Sequence, residues 1–277
     1  MWEGRGNTAP LLFWEVKMIS DLEMIVKEFP DRESIKIYPI FDVHLGAREH
    51  LEKEWAAFCK RILTEENSYI VLGGDLINNG TISSVTNSFE EVYRPREQKK
   101  IITEMLKPLK DKVLCAVQGN HERRNRDVDN DITYDIMCKL DIENLYRENV
   151  AFLHLRFGNT KNNAKYNPSY VLCVAHGAGG GALTGGGVNR AERFAYSMSG
   201  VDALILGHTH KPLVTAPAQI TVDPTKERVY IRPFRVVVAS SWLTWGGYSA
   251  QKLLTPTSNV PQVLNVRGDQ KELSVTM

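Results

Sequence analysis

The size and composition of the chain are those of a globular protein. It has 277 residues, 43% hydrophobic and 24% charged, with a formal net charge of +1, and no apolar run approaches the roughly 20 residues that cross a bilayer. The low charge excludes a general attraction to nucleic acid or anionic membranes, so such a partner would need a local patch. We expect one domain over residues 1–277.

The N-terminus and the cysteines predict a cytoplasmic protein. The apolar stretch at residues 11–14 is too short, and too soon followed by Glu15, for a secretory signal. The cysteines lie within expected core helices and strands at Cys59, Cys115, Cys138 and Cys173. We expect buried free thiols rather than disulfides or a thiolate metal site.

Helices and strands are expected to alternate along most of the chain. An opening helix is predicted at 20–29, where Ser20 and Glu23 resemble a capping box. Apolar runs predict buried strands at 35–41, 69–72, 113–117, 151–157, 170–175 and 203–206. Apolar residues at helical spacing predict helices at 51–62, 101–109, 132–140 and 189–198. Asn189 is the expected cap of the last of these.

The last quarter of the chain is expected to be β-rich. A hairpin is predicted around Asp223-Pro224, followed by a strand at 236–238 and a hairpin that turns at Gly268-Asp269. Together with the alternating elements before it, this order predicts an α/β layered sandwich. The N-terminal segment would be a helical extension of the domain.

Polar residues follow five of the predicted strands. These residues are Asp42-Val43-His44, Gly74-Asp75, Gly119-Asn120-His121-Glu122, His176-Gly177 and Gly207-His208-Thr209-His210. The chain has 7 histidines, and all but His50 and His154 fall in these segments. Ligands of α/β sheets gather at the carboxyl ends of strands. One such residue would be an ordinary cap or satisfied histidine, but five in succession predict a site.

The residue types at these strand ends favour a pair of divalent ions. Carboxylate, amide and imidazole groups suit hard and borderline cations, and the absence of cysteine argues against a structural zinc site. Two ions about 3.5 to 4 Å apart need a shared carboxylate, and Asp75 is the natural bridge.

The ordered motifs D-x-H, G-D, G-N-H-E, H-G and G-H-x-H resemble those of the calcineurin-like metallophosphoesterase family over about residues 35–245. The resemblance implies a four-layer αββα sandwich with two mixed β-sheets. It also implies one metal held by Asp42, His44, Asp75 and His210, and another held by Asp75, Asn120, His176 and His208. His121 would be the outer, catalytic histidine.

The chain departs from the protein phosphatases of this family at two positions. Asn79 and Gln118 stand where those enzymes carry phosphate-binding arginines, so the chain looks more like compact bacterial and phage members. Three arginines follow the G-N-H-E motif and are candidate phosphate ligands, namely Arg123, Arg124 and Arg126. Asn79 is a further candidate substrate ligand. A solvated basic turn is the alternative reading of these arginines.

Two further segments leave alternatives open. The glycine-rich segment 177–187 is either a rim of the site, an anion-binding nest or a connector. The aromatic residues Trp242, Trp245 and Tyr248 either stack on a base or fill the core.

We therefore predict a dinuclear phosphoesterase in which a metal-bound hydroxide attacks phosphorus, with diesters preferred over monoesters. Manganese is the first candidate metal, with iron, zinc and nickel as alternatives. The expected partner is a phosphoester, including nucleotides and nucleic acid. The rival functions are a DNA nuclease of the recombination-repair exonuclease type, since Asp42, His44 and Gly46 form D-x-H-x-G, and a non-catalytic scaffold.

Overall fold

Two six-stranded β-sheets form the centre of the fold. The computed structural model describes residues 22–81, 91–124, 131–158, 167–180 and 183–277. In strand order, the first sheet contains β1 (Ile25–Phe29), β6 (Val150–Phe157), β7 (Ser169–Ala175), β8 (Ala203–Leu206), β12 (Arg235–Val238) and β9 (Leu213–Thr215). The second contains β14 (Leu273–Thr276), β13 (Val263–Arg267), β2 (Ser34–Ile40), β3 (Ser68–Leu72), β4 (Val113–Val117) and β5 (Tyr146–Arg147).

The described helices are α1 (Glu52–Thr64), α2 (Pro95–Leu106), α3 (Ile132–Lys139), α4 (Thr184–Tyr196) and α5 (Gly247–Gln251). Two 3₁₀ segments occupy Lys107–Lys112 and Glu143–Leu145. A separate antiparallel hairpin joins β10 (Ala218–Asp223) to β11 (Arg228–Pro233). It turns where the sequence predicts, and β13 pairs with β14 as the predicted second hairpin.

The burial pattern shows four layers. Along β7, Leu172 and Val174 belong to the main core, whereas Cys173 belongs to a second core with Ala191 and Ala195 of α4. Because alternate residues of a strand face opposite sides of a sheet, the first sheet has the main core on one face and α4 on the other. The apolar faces of α1, α2 and α3 join the main core with the second sheet. Both sheets mix parallel and antiparallel pairs, as predicted.

The predicted opening helix is wrong within the described residues. Ile25–Phe29 is a strand that pairs in parallel with β6, with Ile25 opposite Leu153. Ile25 and Phe29 are four residues apart and both buried, a spacing that suits a helix face as well as alternate strand positions. The backbone pairing with β6 makes this segment a strand and not a helix. Ser20 of the expected capping box lies outside the described residues.

The predicted start of the fourth helix is also wrong. Helix α4 begins at Thr184, five residues before Asn189, so Asn189 lies inside the helix. Its first turn contains Gly185, Gly186 and Gly187, whose low helix propensity favoured a loop. Burial of Ala191 and Ala195 against the first sheet outweighs that propensity.

The cysteines are free, as predicted, although only Cys115 and Cys173 are fully buried, while Cys59 and Cys138 are partly exposed. Every helix within the described ranges is too short or too polar to span a bilayer.

Tyr170 ties the first sheet to the last hairpin of the second. Its buried hydroxyl lies 2.7 Å from the Arg267 carbonyl oxygen and 2.8 Å from that of Gln270, and it accepts the N–H of Glu272 at 2.7 Å. A hydroxyl has one proton, so it donates to one carbonyl at a time.

Tyr170→Phe should lower the free energy of unfolding by about 0.5 to 1.5 kcal/mol, because the hydrogen bonds between the Tyr170 hydroxyl and the last hairpin are lost. Chemical denaturation measures this loss. Tyr69→Phe is the matched control, since the Tyr69 hydroxyl has no hydrogen bond within the described residues and should change stability little. Equal effects of the two substitutions would contradict this role of Tyr170.

Candidate metal centre

The five predicted strand ends meet at one edge of the two sheets. Asp42, Asp75 and Asn120 follow strands β2, β3 and β4 of the second sheet. His176 follows β7, and His208 and His210 follow β8, in the first sheet. Each sheet therefore contributes side chains to a site at the carboxyl ends of parallel strands.

The backbone turns sharply at these residues. Positive φ angles occur at Asp42 (51°), His44 (48°), Asp75 (52°), His208 (67°) and His210 (54°). This left-handed conformation is uncommon for residues other than glycine and concentrates at functional sites. The Asp42 N–H donates to the Gly74 carbonyl at 3.1 Å, and the His44 N–H to the Asp75 carbonyl at 2.9 Å. These hydrogen bonds hold the two loops side by side.

Gly74 permits a close approach of two loops. Its φ is +88°, and a Cβ atom added there would lie 2.3 Å from the Gly119 nitrogen. Any side chain at residue 74 would push apart the loops that carry Asp75 and Asn120.

The first group of side chains consists of Asp42, His44 and His210. His210 Nε2 lies 3.3 Å from Asp42 Oδ1 and 3.2 Å from His44 Nε2. Such spacings are about those of neighbouring ligands on a cation with bonds near 2.1 Å.

The second group consists of Asn120, His176 and His208. Asn120 Oδ1 lies 2.9 Å from His176 Nε2 and 2.8 Å from His208 Nδ1. The two imidazole nitrogens are 3.3 Å apart. Three donor atoms thus converge here as well.

Asp75 lies between the two groups. Its Oδ2 atom is 3.3 Å from His176 Nε2 in the second group and 3.8 Å from His44 Nε2 in the first. Its other oxygen, Oδ1, accepts the backbone N–H of His121 at 2.8 Å. One carboxylate oxygen is therefore directed at both groups.

The donor atoms fit metal ions better than they fit one another. Asp42 Oδ1 is buried and accepts no well-aligned hydrogen bond from any described residue, although His210 Nε2 is near. His176 Nδ1 lies 2.8 Å from the Gly73 carbonyl oxygen, and donation there leaves the Nε2 lone pair free. A buried carboxylate oxygen without a partner, surrounded by imidazole nitrogens, is a suitable ligand for a divalent cation.

Electrostatics of the metal-free protein reflect this crowding. Burial alone would raise the pKa of the Asp75 carboxyl, but His176 and His121 hold it well below its usual value. Burial opposes a charge on His176, yet Asp75 and Asp42 raise the pKa of that imidazole to about 10. Burial and the neighbouring His121 lower the pKa of His44. In the absence of metal, a proton on His176 therefore balances buried carboxylates.

His121 lies beside the first group, with its ring centroid 4.3 Å from that of His44. Its Nδ1 is 2.6 Å from the Asn78 carbonyl oxygen, and Arg124 Nη2 is 2.8 Å from its Nε2. A guanidinium can only donate, so Nε2 is the acceptor and the proton is on Nδ1. Burial and Arg124 both lower the pKa of His121 despite the charge of Asp75.

Of the other predicted substrate ligands, Asn79 contacts this histidine. Asn79 is fully buried and donates its side-chain N–H to the His121 carbonyl at 2.7 Å, so it supports His121 from behind. Arg123 donates to the Glu148 carbonyl and to Asn149 Oδ1. Arg126 lies outside the described residues.

Glu122 supports the loops that carry Asp75 and Asn120, a role that we did not predict from the sequence. Its carboxylate is fully buried and accepts the N–H groups of Asp75 at 2.9 Å, Leu76 at 2.6 Å and Gly119 at 3.1 Å. Burial and the charge of Asp75 raise the pKa of Glu122 to about 7. Its position in the G-N-H-E motif was the sequence feature that could have indicated this role. Its contacts with residue 75 depend on the fold and could not be predicted from the motif alone.

The aromatic residues near the C-terminus do not form one platform. Trp242 is buried and packs against Trp55 and Phe58, so it fills the core. Trp245 is 49% exposed and donates its indole N–H to the Leu254 carbonyl. The side chain of Tyr248 is outside the described atoms.

Two mixed sheets that direct Asp, Asn and His side chains into one cluster define a class of metal-binding hydrolases. The profile of the calcineurin-like phosphoesterases matches residues 35–212. The chain belongs to this family, and it is accordingly a hydrolase that acts on phosphoesters. No curated protein sequence matches it.

Three solved structures resemble the chain at low sequence identity. A conserved protein of Streptococcus pneumoniae, described as a predicted phosphoesterase, shares 10% identity over 87% of this chain and 88% of its own, with a TM-score of 0.37. A metallophosphoesterase of Sphaerobacter thermophilus shares 14% identity over 87% of each chain, with a TM-score of 0.36. The NAD nucleotidase of Haemophilus influenzae shares 9% over 88% of this chain and 49% of its own, with a TM-score of 0.37.

Metal affinity should rise with pH near neutrality. Because the pKa of His176 is about 10 in the metal-free protein, the imidazole is protonated at pH 7 and must release that proton to bind a cation. One proton released gives about a tenfold rise in affinity per pH unit below that pKa.

Titration calorimetry with Mn²⁺ in two buffers of different ionisation enthalpy measures this release. His176→Ala should remove one released proton, whereas His154→Ala, on strand β6, should not. An affinity independent of pH between 6.5 and 8 would contradict the expectation.

Proposed function

We propose that this protein is a phosphodiesterase with a dinuclear centre of divalent cations. The observation that carries the proposal is the position of Asp75 Oδ2, which lies between His176 Nε2 and His44 Nε2. A carboxylate shared in this way offsets the repulsion between two cations about 3.5 to 4 Å apart. A single-metal site would have no use for donor groups on both sides of Asp75.

The seven donors divide between two proposed sites. Asp42, His44 and His210 would hold one cation, Asn120, His176 and His208 the other, and Asp75 would hold both. When bound, the cations would activate water and stabilise negative charge on the phosphoryl oxygens. Manganese remains the first candidate, with iron, zinc and nickel as alternatives, because mixed nitrogen and oxygen donors do not fix the choice of metal. The free cysteines support a reducing, cytoplasmic location.

His121 and Arg124 are proposed to act on the leaving group. The guanidinium donates to His121 Nε2, and the His121 ring centroid lies 4.3 Å from that of His44 in the first group of donors. Negative charge develops on the leaving oxygen as the ester bond breaks, and a fixed guanidinium would stabilise it. In this scheme Arg124 contacts the leaving oxygen, and His121 positions Arg124.

The preference for diesters rests on the neutral residues Gln118 and Asn79, which stand where the protein phosphatases of the family carry phosphate-binding arginines. The side chains of Gln118 and Asn79 are neutral and already form hydrogen bonds within the protein. Gln118 donates to Asp131 Oδ1, and Asn79 donates to the His121 carbonyl oxygen. Arg123 donates to Glu148 and Asn149. A monoester carries about one more negative charge than a diester near neutral pH, so it would be less well compensated here.

Asp75→Asn tests the shared carboxylate. The protein should bind two Mn²⁺ ions per chain, and the variant should lose affinity for both, because the bridging charge is removed. Elemental analysis after gel filtration gives the stoichiometry. Asp202→Asn is the matched control, because Asp202 forms ion pairs with Arg232 and Lys271 and is not one of the seven proposed donors. A variant that lost one ion and kept the other at full affinity would contradict the bridge.

Substitution of His121 or Arg124 should affect esters according to their leaving groups. Both His121→Ala and Arg124→Met should reduce kcat at least tenfold more for a phenyl ester than for a p-nitrophenyl ester, because the poorer leaving group develops more charge. Metal content should be unchanged. Equal losses for both esters would remove the pair from the leaving-group side.

The substrate class is decided by kcat/KM for bis-p-nitrophenyl phosphate and p-nitrophenyl phosphate with Mn²⁺. After correction for uncatalysed reactivity, the diester should be preferred. A corrected tenfold preference for the monoester, about 1.4 kcal/mol, would contradict the assignment. Labelled single-stranded DNA belongs in the same panel, because a nuclease is a narrower form of the same activity.

A further inference from the structure

A cavity of about 360 Å³ opens beside the second group of donors. Asn120 and His176 line it together with residues of α4. Strands β7, β8 and β12 contribute the residues at their carboxyl ends. The cavity is therefore continuous with the proposed metal centre.

The walls of this cavity are largely apolar. They include Val150, Ala175, Ala191, Leu206 and Val238, and Phe194 lies at the edge with 39% of its surface exposed. Small residues on α4 keep the space open, since Ala191 and Gly187 both line it. An apolar space next to a charged centre is typical of a site that binds an uncharged organic group.

Polar side chains also line the cavity. Thr209 is one of them, and its buried Oγ1 has no hydrogen-bond partner among the described residues. Arg123 and Arg190 also line the cavity. Planar guanidinium groups stack on aromatic rings, which favours a flat ligand over a branched one.

His121 contacts the first group of donors, whereas the cavity borders the second group. The contact of His121 is with His44, and the cavity is lined by Asn120 and His176. If the leaving group departs toward Arg124, the cavity faces the substituent that stays on phosphorus. A monoester has no such substituent and would leave the cavity empty.

We propose that this cavity binds the retained organic group of a phosphodiester, and that this group is a planar, uncharged ring. The inference rests on the proposed phosphodiesterase function and adds a substrate class to it. Size supports a ring, because a dry apolar cavity of about 150 Å³ already accommodates benzene. The larger volume here admits one or two fused rings, such as an aryl group or a nucleobase.

Two diesters with the same leaving group test the proposal. Phenyl p-nitrophenyl phosphate and methyl p-nitrophenyl phosphate differ only in the retained group. With Mn²⁺, kcat/KM for the phenyl ester should exceed that for the methyl ester at least tenfold after correction for uncatalysed rates. Binding of the non-hydrolysable methyl phenylphosphonate, measured by calorimetry, should exceed that of methyl methylphosphonate by a similar factor.

Ala191→Leu should remove both preferences by filling the cavity. Phe194→Ala offers a second variant that folding should tolerate because Phe194 is partly exposed, and it should reduce the preference as well. Arg193→Leu introduces the same side chain at an exposed position of α4 outside the cavity, and it should keep the wild-type preference.

The outcomes separate the inference from the proposed function. Hydrolysis of both esters without a ring preference would overturn the cavity assignment and leave the phosphodiesterase proposal intact. Hydrolysis of neither ester by protein with both metals bound would overturn the phosphodiesterase proposal. In that case the phosphonates test the cavity assignment. Equal binding of methyl phenylphosphonate and methyl methylphosphonate would overturn it. A ring preference that survives in Ala191→Leu and Phe194→Ala would also overturn it.

Discussion

The buried charge of Asp75 is the constraint on which the rest of the site depends. A carboxylate without solvent is strongly unfavourable unless cations or N–H groups compensate it. Here His176 and His44 approach one oxygen, and the His121 N–H donates to the other. In the metal-free protein a proton on His176 supplies positive charge, and bound cations would replace it. The same carboxylate therefore links the protonation state, the metal content and the proposed chemistry of the site.

The fold places this charge by joining two sheets at one edge. Asp75 ends a strand of the second sheet and His176 ends a strand of the first, so the packing of the sheets sets the distance between their side chains. Glu122 fixes the turn itself by accepting the N–H groups of Asp75 and Gly119. Left-handed backbone at the strand ends is the conformational cost of directing short side chains inward.

The sequence predicted which side chains meet at the site better than the contacts that support them. Ordered motifs after apolar runs identified residues such as Asp42 and His210, because both strand burial and ligand type are local properties of a sequence. The role of Glu122 depends on contacts between separate loops, and the pairing of Ile25–Phe29 with β6 depends on a strand more than 100 residues away. The predicted start of helix α4 lay too far along the chain, because its first turn is rich in glycine and its burial against the first sheet is a tertiary contact. Such tertiary contacts leave little trace in local periodicity.

Electron paramagnetic resonance of the protein loaded with Mn²⁺ tests the central claim most directly, because it reports whether two ions share a bridging group. With two equivalents of Mn²⁺, we expect the multiline spectrum of an exchange-coupled pair, because the ions would lie about 3.5 to 4 Å apart on one carboxylate. The Asp75→Asn variant should lose this signal. A six-line spectrum of isolated ions in the wild-type protein, at full loading, would contradict the shared carboxylate and the dinuclear centre with it.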